Sequence, residues 1–84
     1  MSPEFQLTLI GKPGCHLCDD AEAVVTNVLA EFPNQTSLTK QSILDDDELF
    51  ARYSEEIPVL LINGKVHNYW RIDADRLRAA LSAS

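Results

Sequence analysis

The chain predicts a single α/β domain over residues 1–84, with elements in the order β-α-β-α-β-β-α. Three observations point there. Phe5-Gln6-Leu7-Thr8-Leu9-Ile10 alternates and then turns fully apolar, as a strand entering a core does, before Gly11-Lys12-Pro13-Gly14 breaks it. From Leu17 onward, apolar residues recur at Ala21, Val24, Val25, Val28, Leu29 and Phe32, the spacing of one helix face. Farther on, Val59-Leu60-Leu61-Ile62 is joined to Lys65-Val66-His67-Asn68-Tyr69-Trp70 by Asn63-Gly64, the strongest short hairpin signal.

Taken in order, the first strand covers 5–10 and its loop 11–14. The first helix begins at the cysteines and ends before Pro33-Asn34, because a proline cannot readily continue a helix. Residues 36–44 are β-rich but polar, with Thr36, Thr39, Lys40 and Gln41 among Leu38, Ile43 and Leu44, the pattern of a weak strand at a sheet edge. Asp45-Asp46-Asp47-Glu48 opens a short helix through Leu49-Phe50-Ala51-Arg52-Tyr53, where acids complement the helix dipole. That run lacks the alternating ligands and closing Glu of a calcium-binding loop. The third strand, 59–62, is apolar on both faces. In the fourth, 65–70, neighbours Tyr69 and Trp70 must point to opposite faces, one into the core and one outward. Asp73 caps a last helix that carries Leu77, Ala80 and Leu81 on one face.

With 45% hydrophobic and 24% charged residues the chain has the composition of a globular protein, and its size allows one core. Thirteen acidic against 7 basic residues give a net charge of -6, which would repel a phosphate backbone or an anionic bilayer. Neither nucleic acid nor membrane is an expected partner, and the expected state is a monomer. Met1-Ser2-Pro3-Glu4 lacks the basic start and apolar run of a secretory signal, which makes the cytoplasm the expected compartment. There a structural disulfide is unusual, and Cys15-His16-Leu17-Cys18 closes too short a loop to restrain the unfolded chain. The pair is better explained by reactivity than by stability.

Cys15, opening a helix, meets unpaired backbone N–H groups and the helix dipole, conditions that favour a thiolate. It is the candidate nucleophile. Cys18, three residues on, shares the same helix face, within plausible reach of a disulfide, and is the candidate resolving thiol, facing inward toward Ala21. Lys12, and His16 when protonated, could add positive charge, while Asp19, Asp20 and Glu22 oppose them. A closed zinc site needs four ligands, and only two cysteines, His16 and His67 are on offer, so neither metal nor cofactor is expected. Three alternatives stay open on the residues alone: an iron-sulfur or metal carrier bridging two chains, an inert thiol pair, and a binding module without turnover.

Lys12-Pro13-Gly14-Cys15-His16-Leu17-Cys18 after an apolar strand, with Ile57-Pro58 before the third strand, resembles glutaredoxins. More narrowly, Cys15 to Asp19, then Ile43-Leu44-Asp45-Asp46-Asp47-Glu48-Leu49, Arg52-Tyr53 and Ile57-Pro58-Val59 resemble the bacterial glutaredoxin-like family over nearly the whole chain. The resemblance implies a thioredoxin-like fold of the glutaredoxin type: a four-stranded mixed sheet with three helices distributed over both faces, and Pro58 in the cis form beside the cysteines. It implies thiol-disulfide exchange on a protein or small-molecule disulfide. Ile57 and Pro58 would form the wall along which an extended substrate lies, joined by Lys12, His16 and Leu17 around the thiols. Two departures stand out. His16 and Leu17 replace the Pro and aromatic residue usual between the cysteines. Glu56-Ile57 and Tyr69-Trp70-Arg71 replace the Thr-Val and Gly-Gly-Asp elements that grip glutathione, which argues against glutathione as a firm ligand.

Overall fold

The computed structural model describes residues 4–82 and contains β1 (Phe5–Gly11), α1 (His16–Leu29), β2 (Thr36–Ser42), α2 (Asp47–Tyr53), β3 (Val59–Ile62), β4 (Lys65–Tyr69) and α3 (Ala74–Ser82). The strands form one mixed sheet in the order β2-β1-β3-β4. β1 and β2 run parallel, as a strand-helix-strand crossover requires, with Leu7 opposite Leu38 and Gly11 opposite Ser42. β3 pairs antiparallel with β1, Ile10 opposite Val59, and β4 returns along β3 through a turn in which Asn63 and Gly64 both take positive φ, 51° and 84°. That is the backbone a tight hairpin of twisted strands demands. Among the described residues no helix is long and apolar enough to cross a membrane.

The side-chain alternation of β1 divides the core in two. Leu7 and Leu9 point to one face, where they meet Ala21, Val25 and Val28 of α1, Leu60, Ile72, and Leu77 and Leu81 of α3. Ile10 and Val59 point to the other, where they meet Ile43 and Tyr53. Helices α1 and α3 thus cover one face and α2 the other, as expected. Burying each such aliphatic side chain stabilises the fold by about 1.5–3 kcal/mol. Asp46 caps α2, accepting from the N–H groups of Glu48 (2.8 Å) and Leu49, and Asp73 caps α3 through those of Asp75 (2.9 Å) and Arg76.

Four boundaries differ from the sequence reading. β1 continues through Gly11, whose carbonyl accepts from Ile43 N–H at 2.9 Å, so this glycine belongs to the sheet and not to the loop. α1 stops at Leu29. Glu31 and Phe32 bond back three residues to Val28 and Leu29, tightening the chain before Pro33, and Phe32 still packs on the core from that turn. β2 stops at Ser42, because its hydroxyl takes the Leu44 N–H at 3.1 Å and its carbonyl the Asp45 N–H; Leu44 is left exposed. β4 stops at Tyr69, and Trp70 turns out of the strand with φ +63°. The alternation that should have sent one of these two rings into the core therefore fails: Tyr69 is 44% and Trp70 52% exposed.

Candidate active site

The cysteines sit where β1 hands over to α1. Gly14, at φ +76°, makes a left-handed turn that suits glycine, and Cys15 follows in extended conformation as the N-cap of α1. Its sulfur takes the place of a capping oxygen, accepting the Cys18 N–H at 3.2 Å, while its carbonyl accepts from Asp19 N–H at 3.0 Å. Both thiols are free; Cys15 is half-buried and Cys18 only 8% exposed. Cys18 packs directly on the end of β1. A Cβ added at Gly11 would lie 2.9 Å from the Cys18 Sγ and 3.1 Å from the Cys18 Cβ, closer than the sulfur could tolerate without moving. Burial, first, and a hydrogen bond with Cys15, second, push the Cys18 thiol up to about 11. The charges of Cys15 and Asp19 add to the rise, and the Lys12 main-chain amide works against it.

The peptide bond between Ile57 and Pro58 is cis. The register that pairs Ile10 with Val59 carries Pro58 toward the Gly11 end of β1, and so toward Cys18. Pro58 itself is fully buried; of the pair only Ile57 keeps surface, half-buried against the Ile10, Ile43, Tyr53 and Val59 cluster. His16 is the first residue of α1 and is exposed. Lys12 is exposed on the loop and lines a charged groove of about 360 Å³ that reaches Cys18, between Asp19 and Glu22 on one side and Lys40 on the other. There Lys40 pairs with Glu22 at 3.0 Å. His67 stands half-buried on β4 and lines neither groove beside α1; its Nε2 has no hydrogen-bond partner among the described residues, and burial, then the charge of Arg76, lower its pKa. Among the described residues no three His, Cys, Asp or Glu side chains come together as a metal site.

Leu17, 43% exposed, faces a second groove of about 240 Å³. Ala21 and Val24 of α1 line it from the same side, and Trp70, Arg71 and Ile72 from the β4–α3 connection. Trp70 is anchored twice. Its main-chain N–H donates to the Pro58 carbonyl at 2.8 Å and its Nε1–H to the Glu55 carbonyl at 3.0 Å, with the Tyr69 ring edge-on at 4.9 Å. Sequence reasoning missed this wall because it extended the strand through Trp70. The available signal was the Trp70-Arg71 pair near the position where the resemblance to glutaredoxins implies glycines.

The family described as "Glutaredoxin-like domain (DUF836)" matches residues 6–82. The "Uncharacterized protein Rv0508" of Mycobacterium tuberculosis is 30% identical over 86 residues, an alignment covering 94% of this chain and 84% of that protein. The structural genomics target protein XcR50 from X. campestris is 35% identical and superposes with a TM-score of 0.75 over 93% of this chain and 97% of its own. Oxidized mitochondrial thioredoxin 3 of Saccharomyces cerevisiae, 10% identical, superposes with a TM-score of 0.69 over 99% of this chain and 81% of its own, a likeness of fold alone. The fold is thus the thioredoxin-like arrangement that the resemblance implied.

Proposed function

We propose that this chain, which belongs to the glutaredoxin-like domain family (DUF836), is a thiol-disulfide oxidoreductase working through Cys15 and Cys18. One observation carries the reading: a half-exposed cysteine caps a helix through its sulfur, and the N–H it accepts belongs to a second, buried cysteine. That asymmetry is what a two-step exchange needs. The Cys15 thiolate attacks one sulfur of a substrate disulfide, forms a mixed disulfide and expels the other substrate sulfur as a thiolate. Cys18 then loses its proton and attacks the Cys15 sulfur, which expels the second substrate thiolate. The substrate gains two electrons and, from solvent, two protons; the protein is left with a Cys15–Cys18 disulfide, which an external low-molecular-weight thiol or dithiol protein must reduce.

Capture itself prepares the second step. Two influences that hold the Cys18 proton, the hydrogen bond with Cys15 and the Cys15 charge, disappear once Cys15 is tied up in the mixed disulfide. Burial and the Asp19 charge remain against ionisation and the Lys12 amide remains for it, so the thiol becomes easier to ionise once it has something to attack. The glutathione-gripping elements are replaced here, which makes a protein disulfide the favoured substrate and glutathione a poor one. Mild oxidation followed by mass spectrometry of the intact chain tests the reading. The expected product is a monomer lighter by two hydrogens; mainly intermolecular dimers would refute it.

A further inference from the structure

Just past the end of β4, across a groove from Leu17, the molecule holds an aromatic ring in a costly position. Trp70 combines a positive φ, which bulky L residues rarely adopt, with half-exposure of a large apolar side chain. Such backbone persists only where its surroundings over-determine it. Here they do so through two hydrogen bonds, one of them to the carbonyl of Pro58, so the ring stands as a fixed wall. The opposite wall begins at Leu17, which lies between Cys15 and Cys18 in the chain and is likewise exposed. Ala21, Val24 and Ile72 complete an apolar lining that runs on from Leu17. At about 240 Å³ the groove is smaller than the roughly 300–1,000 Å³ of small-molecule sites and suits a single side chain. Asp20 on one wall and Arg71 on the other take part in no ion pair among the described residues.

We propose that this groove is a recognition pocket for a protein substrate, taking one bulky apolar side chain next to the target disulfide, with Trp70 as its specificity-determining residue. An acidic neighbour in the same segment meets Arg71, and a main-chain N–H meets Asp20. The role of the disulfide rests on the redox reading of Cys15; the pocket itself does not. The test uses two short peptides centred on Phe-Cys-Asp and Gly-Cys-Gly, each cysteine in mixed disulfide with thionitrobenzoate. Attack on the peptide sulfur joins the peptide to Cys15 and expels the coloured thionitrobenzoate anion, the better leaving group. The wild-type chain captures the Phe peptide at least about tenfold faster than the Gly peptide. Trp70→Ala and Leu17→Ser, from opposite walls, each bring that ratio within about twofold. Trp70 is the one tryptophan of the chain, so its fluorescence reads occupancy without any redox step. A Phe-Ser-Asp peptide shifts the emission to the blue and saturates; Gly-Ser-Gly does not. A ratio unchanged in both variants, or no shift with the Phe-Ser-Asp peptide at millimolar concentration, overturns the pocket. If neither mixed disulfide releases thionitrobenzoate, the redox reading fails, and the fluorescence titration alone decides the pocket.

Discussion

Cys15 and Cys18 are the same kind of residue one helical turn apart, yet their surroundings share little. Cys15 stands at the tip of α1, half-exposed, its sulfur serving as the helix cap. Cys18 is pressed against Gly11 at the end of β1, nearly out of solvent, and its thiol is pushed up to about 11. Reactivity in a Cys-x-x-Cys pair is therefore a matter of what each sulfur touches. The comparison is broken most directly by removing one thiol at a time. Cys15→Ser lowers the rate of disulfide capture at least about a thousandfold, as loss of a nucleophile does. Cys18→Ser still captures, but its mixed disulfide outlives that of the wild type by about a hundredfold, because the positioned intramolecular attack is gone. Non-reducing gels and stopped-flow capture rates read both, and the opposite pattern, with Cys18 the capturing thiol, would reverse the two roles.

A smaller change sharpens the same contrast without touching either sulfur. In Gly11→Ala the new Cβ meets the Cys18 sulfur at 2.9 Å and forces it aside. Resolution of the mixed disulfide slows on the order of tenfold, since displacement of a reacting group by a fraction of an ångström is costly. Capture by Cys15 changes less. Overpacking also destabilises the fold by about 1–3 kcal/mol. Because the strain lies between two specific residues, its cost shrinks when Cys18→Ala is made as well, and a double-mutant cycle on denaturant midpoints measures the coupling. Equal costs in the two backgrounds would show that Gly11 and Cys18 do not interact.

Local signals carried most of the fold. The apolar runs of 5–10 and 59–62 became β1 and β3, Asn63-Gly64 adopted the positive φ values of its hairpin, and Asp73 caps α3 as its position suggests. Cys15 and Cys18 were legible because their spacing on a helix start is itself a local fact. What escaped depends on neighbours distant in sequence. Gly11 looked like a strand breaker, since only the folded chain brings Cys18 against it. Trp70 looked like a strand residue, since its turn is enforced by the carbonyls of Pro58 and Glu55 from another part of the chain. The grooves on either side of α1 belong to the same class: each needs two elements at once.

The smallest expected effect is on stability, and it tests the buried half of the comparison alone. A thiol is neutral when protonated and anionic when not, and burial, the largest influence on Cys18, penalises the anion. With the ordinary value of 9.0 in the unfolded chain and about 11 in the folded one, the native state keeps its proton longer. Between those values unfolding releases a proton, so rising pH draws the equilibrium toward the unfolded chain. The contribution of Cys18 is fully present below about 9 and is lost as pH climbs through about 11. Reduced wild-type protein should thus show a urea midpoint that falls over this window more steeply than that of reduced Cys18→Ser, which has no thiol to titrate there. The oxidised protein, with its sulfurs joined, should lack the extra slope as well. Urea titrations at a series of alkaline pH values decide the matter: parallel profiles for the reduced wild type and Cys18→Ser would mean that the folded protein does not hold this proton any more tightly than the unfolded chain does.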